Sequence, residues 1–349
     1  MISKKLNVDK IRENLSVFYT THQKPIKVGF ALFWLSLIGY VIYLGWESRT
    51  ELVYSLNNAD WSQFSLVLPI YLATLILAST LWTIIMQTMD DSLSWWTHIC
   101  IYFVTLMTRR LPGTVWYIGG RLVLYKRLGV SGIKTATGSG IELIISFVAN
   151  CMLAMLFLPF GLGLSNYWFI PFGIVSLLGL LILEPSTLSK IMVKLKRPLL
   201  RPIERWRIVI WLFLRIVLVL VGGLMIFQTS KVFLPLTNET LFLVLGARAI
   251  SGAASMLSFF LPSSFGIYDL TMITFLATIM PPSLATVVTV MVKLYTTVFE
   301  ILFGLIFFVI IRKLPEFHSI NMNLFSRYIT ESGINPEPDQ NKDKDKESE

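Results

Sequence analysis

Charged residues, histidine and cysteine are all scarce in this sequence, and each shortage excludes a class of protein. Charged side chains account for 15% of the 349 residues, whereas hydrophobic ones account for 54% and the mean hydropathy is +0.67. A water-soluble chain of this length carries more charge and shorter apolar runs. The composition therefore predicts an all-α membrane protein that crosses the bilayer several times.

Cysteine and histidine are too few and too scattered for a disulfide framework or a metal site. Cys100 and Cys151 both lie in apolar segments, and two cysteines specify neither kind of framework. The histidines at 22, 98 and 318 lack the short spacing that metal ligands show. We therefore expect no metal ion and no other cofactor.

Long apolar runs are abundant. A hydrocarbon core of about 30 Å requires about 20 apolar residues in a helix that rises about 1.5 Å per residue. Six segments are predicted to span the membrane on this basis: 28–46, 64–86, 133–160, 168–183, 208–227 and 283–311.

Basic residues beside these segments carry the net charge of +9, which argues against a nucleic-acid partner. They cluster in segment 1–27, in the connection 190–207 and at Arg312-Lys313. Loops rich in Lys and Arg stay in the cytoplasm, so all three are expected there. The loop 47–61 holds more acidic than basic residues and suits the outer face. Both termini of this multi-pass protein are therefore predicted to be cytoplasmic.

This orientation forces two apolar segments to enter and leave the membrane on the same side. Residues 94–127 must form a re-entrant hairpin from the cytoplasm, and residues 240–281 one from the outside. Each is interrupted by a Leu-Pro turn, at Leu111-Pro112 and at Leu261-Pro262. Broken helices are tolerated at membrane depth where protein or water satisfies the freed backbone groups, so both turns are expected to line one cavity.

The two halves of the chain also resemble one another at an offset of about 150 positions, which superimposes the two Leu-Pro turns. We interpret this as an inverted repeat of six full spans and two hairpins, with two independent hairpins as the alternative. The expected organisation is a cytoplasmic segment at 1–27, a membrane domain at 28–313 and a cytoplasmic tail at 314–349, disordered from 335.

Ionisable residues recur within these apolar segments, although each costs about 2.5 to 3.5 kcal/mol near the middle of a membrane helix on insertion scales. Their number indicates pairing across a polar cavity, Glu142 with Arg121, and Asp269 or Glu300 with Arg248 or Lys293. The cationic excess suits a lipid phosphate, and the N-H groups of helices that start at each turn would attract the same anion. The predicted substrate-binding residues are Arg109, Arg110, Pro112, Gly113, Arg121, Glu142, Arg248, Ser263, Ser264, Asp269, Lys293 and Glu300. Arg109 and Arg110 could instead lie at the interface and snorkel to water.

Two motifs resemble signatures of the transmembrane region of lysylphosphatidylglycerol synthases, also known as the flippase-like family. The first signature is matched by Arg109 or Arg110, Pro112-Gly113, Gly119 or Gly120, Arg121, Gly129 and Glu142. The second resembles Leu-Pro-Gly-Gly-Leu-Gly-Val-Arg-Glu, of which the chain keeps Leu261-Pro262, Gly266 and Ile267. It places Ser263-Ser264 at the glycine pair and Tyr268-Asp269 at the Arg-Glu pair.

The resemblance covers residues 25–313 and implies a lipid-handling membrane domain, which in the best-known member moves an aminoacylated phospholipid across the bilayer. The segment after Lys313 is too short for the soluble synthase domain, so that domain is expected to be absent. We therefore predict a non-enzymatic protein of a bacterial or archaeal plasma membrane that binds and flips a phospholipid or a polyprenyl-phosphate lipid.

Two alternatives remain open. The first is a membrane-embedded transferase, for which Glu47, Glu51 and Asp60, or the pair Asp90-Asp91, are the available carboxylates. The second is an accessory subunit of a separately encoded glycosyltransferase or synthase in lipid-linked glycan or cell-envelope assembly.

Overall fold

The described part of the chain consists of helices joined by turns. A computed structural model describes residue 46 and residues 49–89, 92–110, 115–162, 170–194, 203–257, 264–314 and 317. The helices are α1 (Arg49–Asn57), α2 (Val67–Met89), α3 (Trp95–Leu106), α4 (Val115–Arg127), α5 (Gly132–Leu162), α6 (Ile170–Leu183), α7 (Pro185–Lys194), α8 (Arg205–Lys231), α9 (Glu239–Leu257), α10 (Ser264–Leu276) and α11 (Pro282–Ile311). Short 3-10 turns precede α2 (Trp61–Leu66) and follow α3 (Met107–Arg110), and no strand occurs in these ranges.

Four helices are long and apolar enough to cross a membrane: Trp61–Met89, Gly132–Pro159, Arg205–Lys231 and Pro282–Ile311. They confirm four of the six predicted spans and indicate a membrane protein. The predicted span 168–183 corresponds to α6, whose 14 described residues extend about 21 Å, and its first two residues lie outside the described ranges. The predicted span 28–46 and the tail from 318 onward lie outside the described residues, apart from Trp46.

The long helices α2 and α8 lie side by side and run in opposite directions. At one end the Asp60 N-H donates to the Val232 carbonyl at 2.8 Å, and at the other Arg207 Nη1 donates to Thr88 Oγ1 at 3.0 Å. We call these the Asp60 end and the Thr88 end of the bundle. Helix α3 follows α2 at the Thr88 end, whereas α9 follows α8 at the Asp60 end.

Helices α3 and α4 form a hairpin that returns to the Thr88 end. Ser94 caps α3, because its hydroxyl accepts the Thr97 N-H at 3.2 Å. Near this cap, His98 Nδ1 lies 2.8 Å from the Tyr125 hydroxyl at the end of α4, and the same hydroxyl accepts Trp82 Nε1-H at 3.0 Å. The predicted Leu-Pro turns of both hairpins, Leu111-Pro112 and Leu261-Pro262, lie outside the described residues.

Helix contacts occur in matched pairs between the two halves of the chain. Helix α3 packs on α11 and, correspondingly, α9 packs on α5; α4 packs on α5 and α10 packs on α11. The first helix of each hairpin therefore lies against the last long helix of the other half, whereas the second helix lies against that of its own half. Helices α5 and α11, which begin at Gly132 and Pro282, keep the offset predicted from the sequence.

Large apolar side chains remain exposed along the outer helices. Leu177 of α6 and Leu294 of α11 are 59% and 61% exposed, as expected of surfaces that face hydrocarbon. Tryptophans 46, 61, 95, 96 and 206 are exposed, which suits membrane interfaces, whereas Trp211 of α8 is fully buried.

Candidate functional site

A cavity of about 380 Å³ lies between the two halves of the chain. Side chains from all the long helices and from both hairpins line it. It brings together every predicted charged site residue whose side chain the structure describes: Arg121, Glu142, Arg248, Asp269, Lys293 and Glu300. A seventh charged residue, Arg215 of α8, lines the same cavity and was not predicted.

Arg121 and Glu142 form a buried ion pair on the wall of this cavity. Arg121 Nη1 lies 2.5 Å from Glu142 Oε2, and the Tyr117 hydroxyl donates to the same oxygen at 2.6 Å. The side chains are 1% and 11% exposed. The structure thus realises the pairing of these two residues expected from the sequence.

Three aromatic rings enclose the Arg121 guanidinium. Its central carbon lies 3.5 Å from the centroid of Trp82, 4.2 Å from that of Tyr117 and 5.3 Å from that of Tyr102. A cation over a ring face is stabilised by about 2 kcal/mol when both groups are desolvated. Helices α2, α3 and α4 are therefore tied together around one arginine, which is in turn bound to α5.

Lys293 and Asp269 form the second ion pair, between α11 and α10. The sequence left open whether Asp269 or Glu300 would pair with Lys293, and the structure selects Asp269. Unlike the first pair this one is accessible, with the side chains 36% and 21% exposed. Glu300, two turns along the same helix, is 6% exposed and also lines the cavity.

Arg248 occupies the part of the cavity wall formed by α9. Its guanidinium carbon lies 5.4 Å from the centroid of the Tyr268 ring. No carboxylate among the described side chains forms an ion pair with it. On the same helix, Ser251 and Ser255 donate their hydroxyls to backbone carbonyls at 2.7 and 2.8 Å, and Ser255 faces the cavity.

Two glycines of the sequence motifs have a positive φ, a backbone angle that other residues rarely adopt. Gly266 at the start of α10 has φ +105° and lines the cavity, and Gly129 after α4 has φ +79°. Gly129 ends α4, because the Val130 N-H donates to the Tyr125 carbonyl at 3.0 Å. Both glycines are therefore required by the local backbone.

The remaining predicted site residues are described in part or not at all. Pro112, Gly113 and Ser263 lie outside the described residues. The backbone of Arg109 and Arg110 forms the 3-10 turn after α3, and Ser264 is the first residue of α10.

Several residues of the site were missed by the sequence interpretation. Arg215 lies in the middle of the apolar run 208–227, the same signal that singled out Arg248, and it interacts electrostatically with Glu142. Tyr117 and Trp82 gave no such signal, because aromatic residues are common in membrane helices.

The cavity lining carries four basic and three acidic side chains, hence one net positive charge from the residues whose side chains are described. Within those residues, no group of three or more His, Cys, Asp or Glu side chains is placed to hold a metal ion. Such a lining can attract an anion and hydrogen bond to it through guanidinium and ammonium groups. Comparison of the chain with protein-family models, with curated proteins and with solved structures finds no match.

Proposed function

We propose that this protein binds a phosphate-bearing lipid headgroup in the cavity and moves it between the two leaflets of a membrane. The observation that carries the proposal is the convergence of seven charged side chains, with a positive balance, on one cavity among helices of membrane-spanning length. Isolated charges in apolar helices are costly, and they are retained where they serve a substrate or ion path. A polar path lowers the desolvation cost of the headgroup while the acyl chains stay in hydrocarbon.

The proposed topology places the Thr88 end in the cytoplasm and the Asp60 end outside. The four long helices, α6 and segment 28–46 then make six crossings, while α3–α4 and α9–α10 are re-entrant from opposite sides. Both termini are cytoplasmic, and the membrane is a bacterial or archaeal plasma membrane. The opposite starting ends of the two hairpins, set by the antiparallel pair α2 and α8, support this arrangement.

The two ion pairs have different roles in this proposal. The Arg121–Glu142 pair holds the first hairpin against α5, because it is sealed and enclosed by rings. Arg248 and the accessible Lys293–Asp269 pair face the transported headgroup. A transferase reaction has less support, because Asp60 does not line the cavity and its carboxylate accepts hydrogen bonds from Ser62 and Gln63.

A leaflet-exchange assay tests the proposal. The purified protein is reconstituted into liposomes that contain a phospholipid with a fluorescent acyl chain, and a membrane-impermeant quencher reports outer-leaflet lipid. We expect wild-type protein to speed exchange over protein-free liposomes and Lys293→Ala to slow it. Arg205→Ala is the matched control, because Arg205 is exposed and pairs with Glu184 away from the cavity. Exchange no faster than in empty liposomes would contradict the proposal.

A further inference from the structure

Each half of the chain supplies one ion pair between the second helix of its hairpin and the long helix that follows. In the first half the cation is on the hairpin, Arg121 of α4, and the anion is Glu142 of α5. In the second half the order is reversed, with Asp269 on α10 and Lys293 on α11. These four residues therefore add no net charge to the cavity.

Among the described side chains, the net positive charge of the lining comes from its three other charged residues, Arg215, Arg248 and Glu300. Arg215 interacts with the Glu142 carboxylate, which lies across from α8. Arg248 has no carboxylate partner in the described part of the chain. Of the two basic side chains outside the ion pairs, Arg248 is thus the one that interacts with no carboxylate among the described residues.

The surroundings of Arg248 leave room for its guanidinium at the cavity wall. A Cβ atom added to Gly222 of α8 would lie 3.3 Å from Arg248 Nε, and one added to Gly252 of α9 would lie 3.0 Å from Arg248 Nη1. The guanidinium therefore occupies space that two side chains would otherwise fill. The Tyr268 ring covers it from α10, and Gly222, Tyr268 and Arg248 all line the cavity.

A phosphodiester matches this site in geometry and in charge. A guanidinium binds two phosphate oxygens in a planar, bidentate arrangement. A phosphodiester carries one negative charge, which balances the one net positive charge that the described side chains give the lining, whereas a phosphomonoester carries about 1.5 to 2 at neutral pH. The surplus charge of the monoester would have no counter-charge among the described side chains of the lining.

We propose that Arg248 is the residue that binds the anion, and that the cavity selects a singly charged phosphodiester over a doubly charged phosphomonoester. This assignment rests on the proposed function, in which the cavity receives a phosphate-bearing headgroup. It gives the chemical class of the ligand and separates Arg248 from Arg121, whose guanidinium is committed to Glu142.

The test is a binding measurement on the full-length protein in nanodiscs of phosphatidylcholine at pH 8, with phosphatidylglycerol and phosphatidic acid as probes. Wild-type protein should bind phosphatidylglycerol more tightly than phosphatidic acid. Arg248→Gln should weaken that binding about tenfold or more, in the range of one charge-assisted hydrogen bond. Arg248→Lys should still bind phosphatidylglycerol more tightly than phosphatidic acid, with an affinity between those of wild type and Arg248→Gln. The surface control Arg205→Gln should leave the affinities for both lipids unchanged.

A charge-shift variant makes the test independent of Arg248. Asp269→Asn keeps the side-chain shape and adds one positive charge to the lining, so it should shift the preference toward phosphatidic acid by about tenfold, relative to wild type. Thermal unfolding of each variant confirms that it is folded. Wild-type preference for phosphatidic acid, or phosphatidylglycerol binding unaffected by Arg248→Gln, would overturn the assignment.

Two further arms separate the ligand sources and the two proposals. The water-soluble phosphodiester glycerophosphoglycerol is added as a competitor of phosphatidylglycerol. If it competes in wild-type protein but not in Arg248→Gln, the site accepts any phosphodiester. If phosphatidylglycerol binds through Arg248 and glycerophosphoglycerol does not compete, the site is specific for lipids. If wild-type protein binds phosphatidylglycerol through Arg248 but does not speed leaflet exchange, the translocation proposal is wrong and the assignment of Arg248 stands. Exchange that survives Arg248→Gln unchanged removes the assignment and leaves translocation.

Discussion

The two ion pairs of the cavity differ in how far they are removed from solvent. Arg121 and Glu142 are almost fully enclosed, whereas Lys293 and Asp269 are about a third and a fifth exposed. Removing one member of a buried pair leaves an uncompensated charge in a poorly solvated site, which costs about 3 to 5 kcal/mol. Water screens an accessible pair, whose contribution is about 1 kcal/mol or less.

Neutralising one acid in each pair should therefore have unequal effects on stability. We expect Glu142→Gln to lower the free energy of unfolding by about 3 kcal/mol or more, because Arg121 loses its counter-ion inside the ring enclosure. Asp269→Asn should cost much less. Thermal unfolding in detergent measures both, and the double variant Arg121→Met with Glu142→Gln should recover part of the loss. Equal destabilisation by the two single variants would contradict the difference in burial.

Helix packing in the two matched interfaces depends on glycines that let backbones approach closely. At the α9–α5 interface, a Cβ on Gly246 would lie 3.1 Å from the Leu158 backbone nitrogen. At the corresponding α3–α11 interface, a Cβ on Gly304 would lie 3.3 Å from the Phe103 carbonyl oxygen. Small residues at such crossings allow van der Waals contact between membrane helices, where no hydrophobic effect favours association.

An added methyl group at the first of these crossings should force α9 away from α5. We expect Gly246→Ala to destabilise the protein by about 1 to 3 kcal/mol, since the added Cβ would lie 2.9 Å from Leu158 Cδ2 and 3.1 Å from the Leu158 backbone nitrogen, which cannot rotate away. Gly140→Ala is the matched control, because nothing lies within 4 Å of its added Cβ and alanine favours a helix by up to about 1 kcal/mol. Thermal unfolding under the same conditions compares the stabilities of the two variants. A Gly246→Ala variant as stable as Gly140→Ala would show that the helices are not in close contact there.

For the molecule as a whole, the matched contacts define two halves that start from opposite ends of the α2–α8 pair. Helix α3 follows Thr88 in the chain and α9 follows Val232, and these two residues mark the two ends of the pair. The proposed topology assigns one end to each side of the membrane. Every loop at the Thr88 end should then be cytoplasmic, and every loop at the Asp60 end should be outside.

Single-cysteine labelling in cells distinguishes this topology from its alternatives. Ser131→Cys lies in the exposed turn between α4 and α5, and Asn238→Cys lies in the exposed turn before α9. We expect an impermeant maleimide added outside to label position 238 in intact cells and position 131 only after the membrane is opened. The native Cys100 and Cys151 are buried, and replacing them with Ala provides the background. Labelling of both positions in intact cells would exclude opposed hairpins.

The sequence predicted the long helices and the charged residues of the cavity, because both signals are local. Apolar runs of sufficient length identified α2, α5, α8 and α11, and the cost of isolated charges identified six residues that line the cavity. The choice of partner was not predictable for Asp269, since Lys293 and Arg248 are both cationic and only the packing of α10 against α11 decides between them. The enclosure of Arg121 by aromatic rings could not be predicted from the sequence either. Its three rings come from separate helices, and an aromatic residue in an apolar segment carries no distinctive pattern.

The exchange of partners between the halves bears on how the chain reaches its folded state during synthesis. Helix α3 is made early, yet it packs on α11, which leaves the ribosome only after most of the chain has been inserted. Contacts between segments so distant in sequence form late and slowly. The face of α3 that packs on α11 therefore stays uncovered until α11 is made, and a chain truncated before Pro282 lacks the helix that covers it. Such fragments should be preferred substrates of membrane proteases.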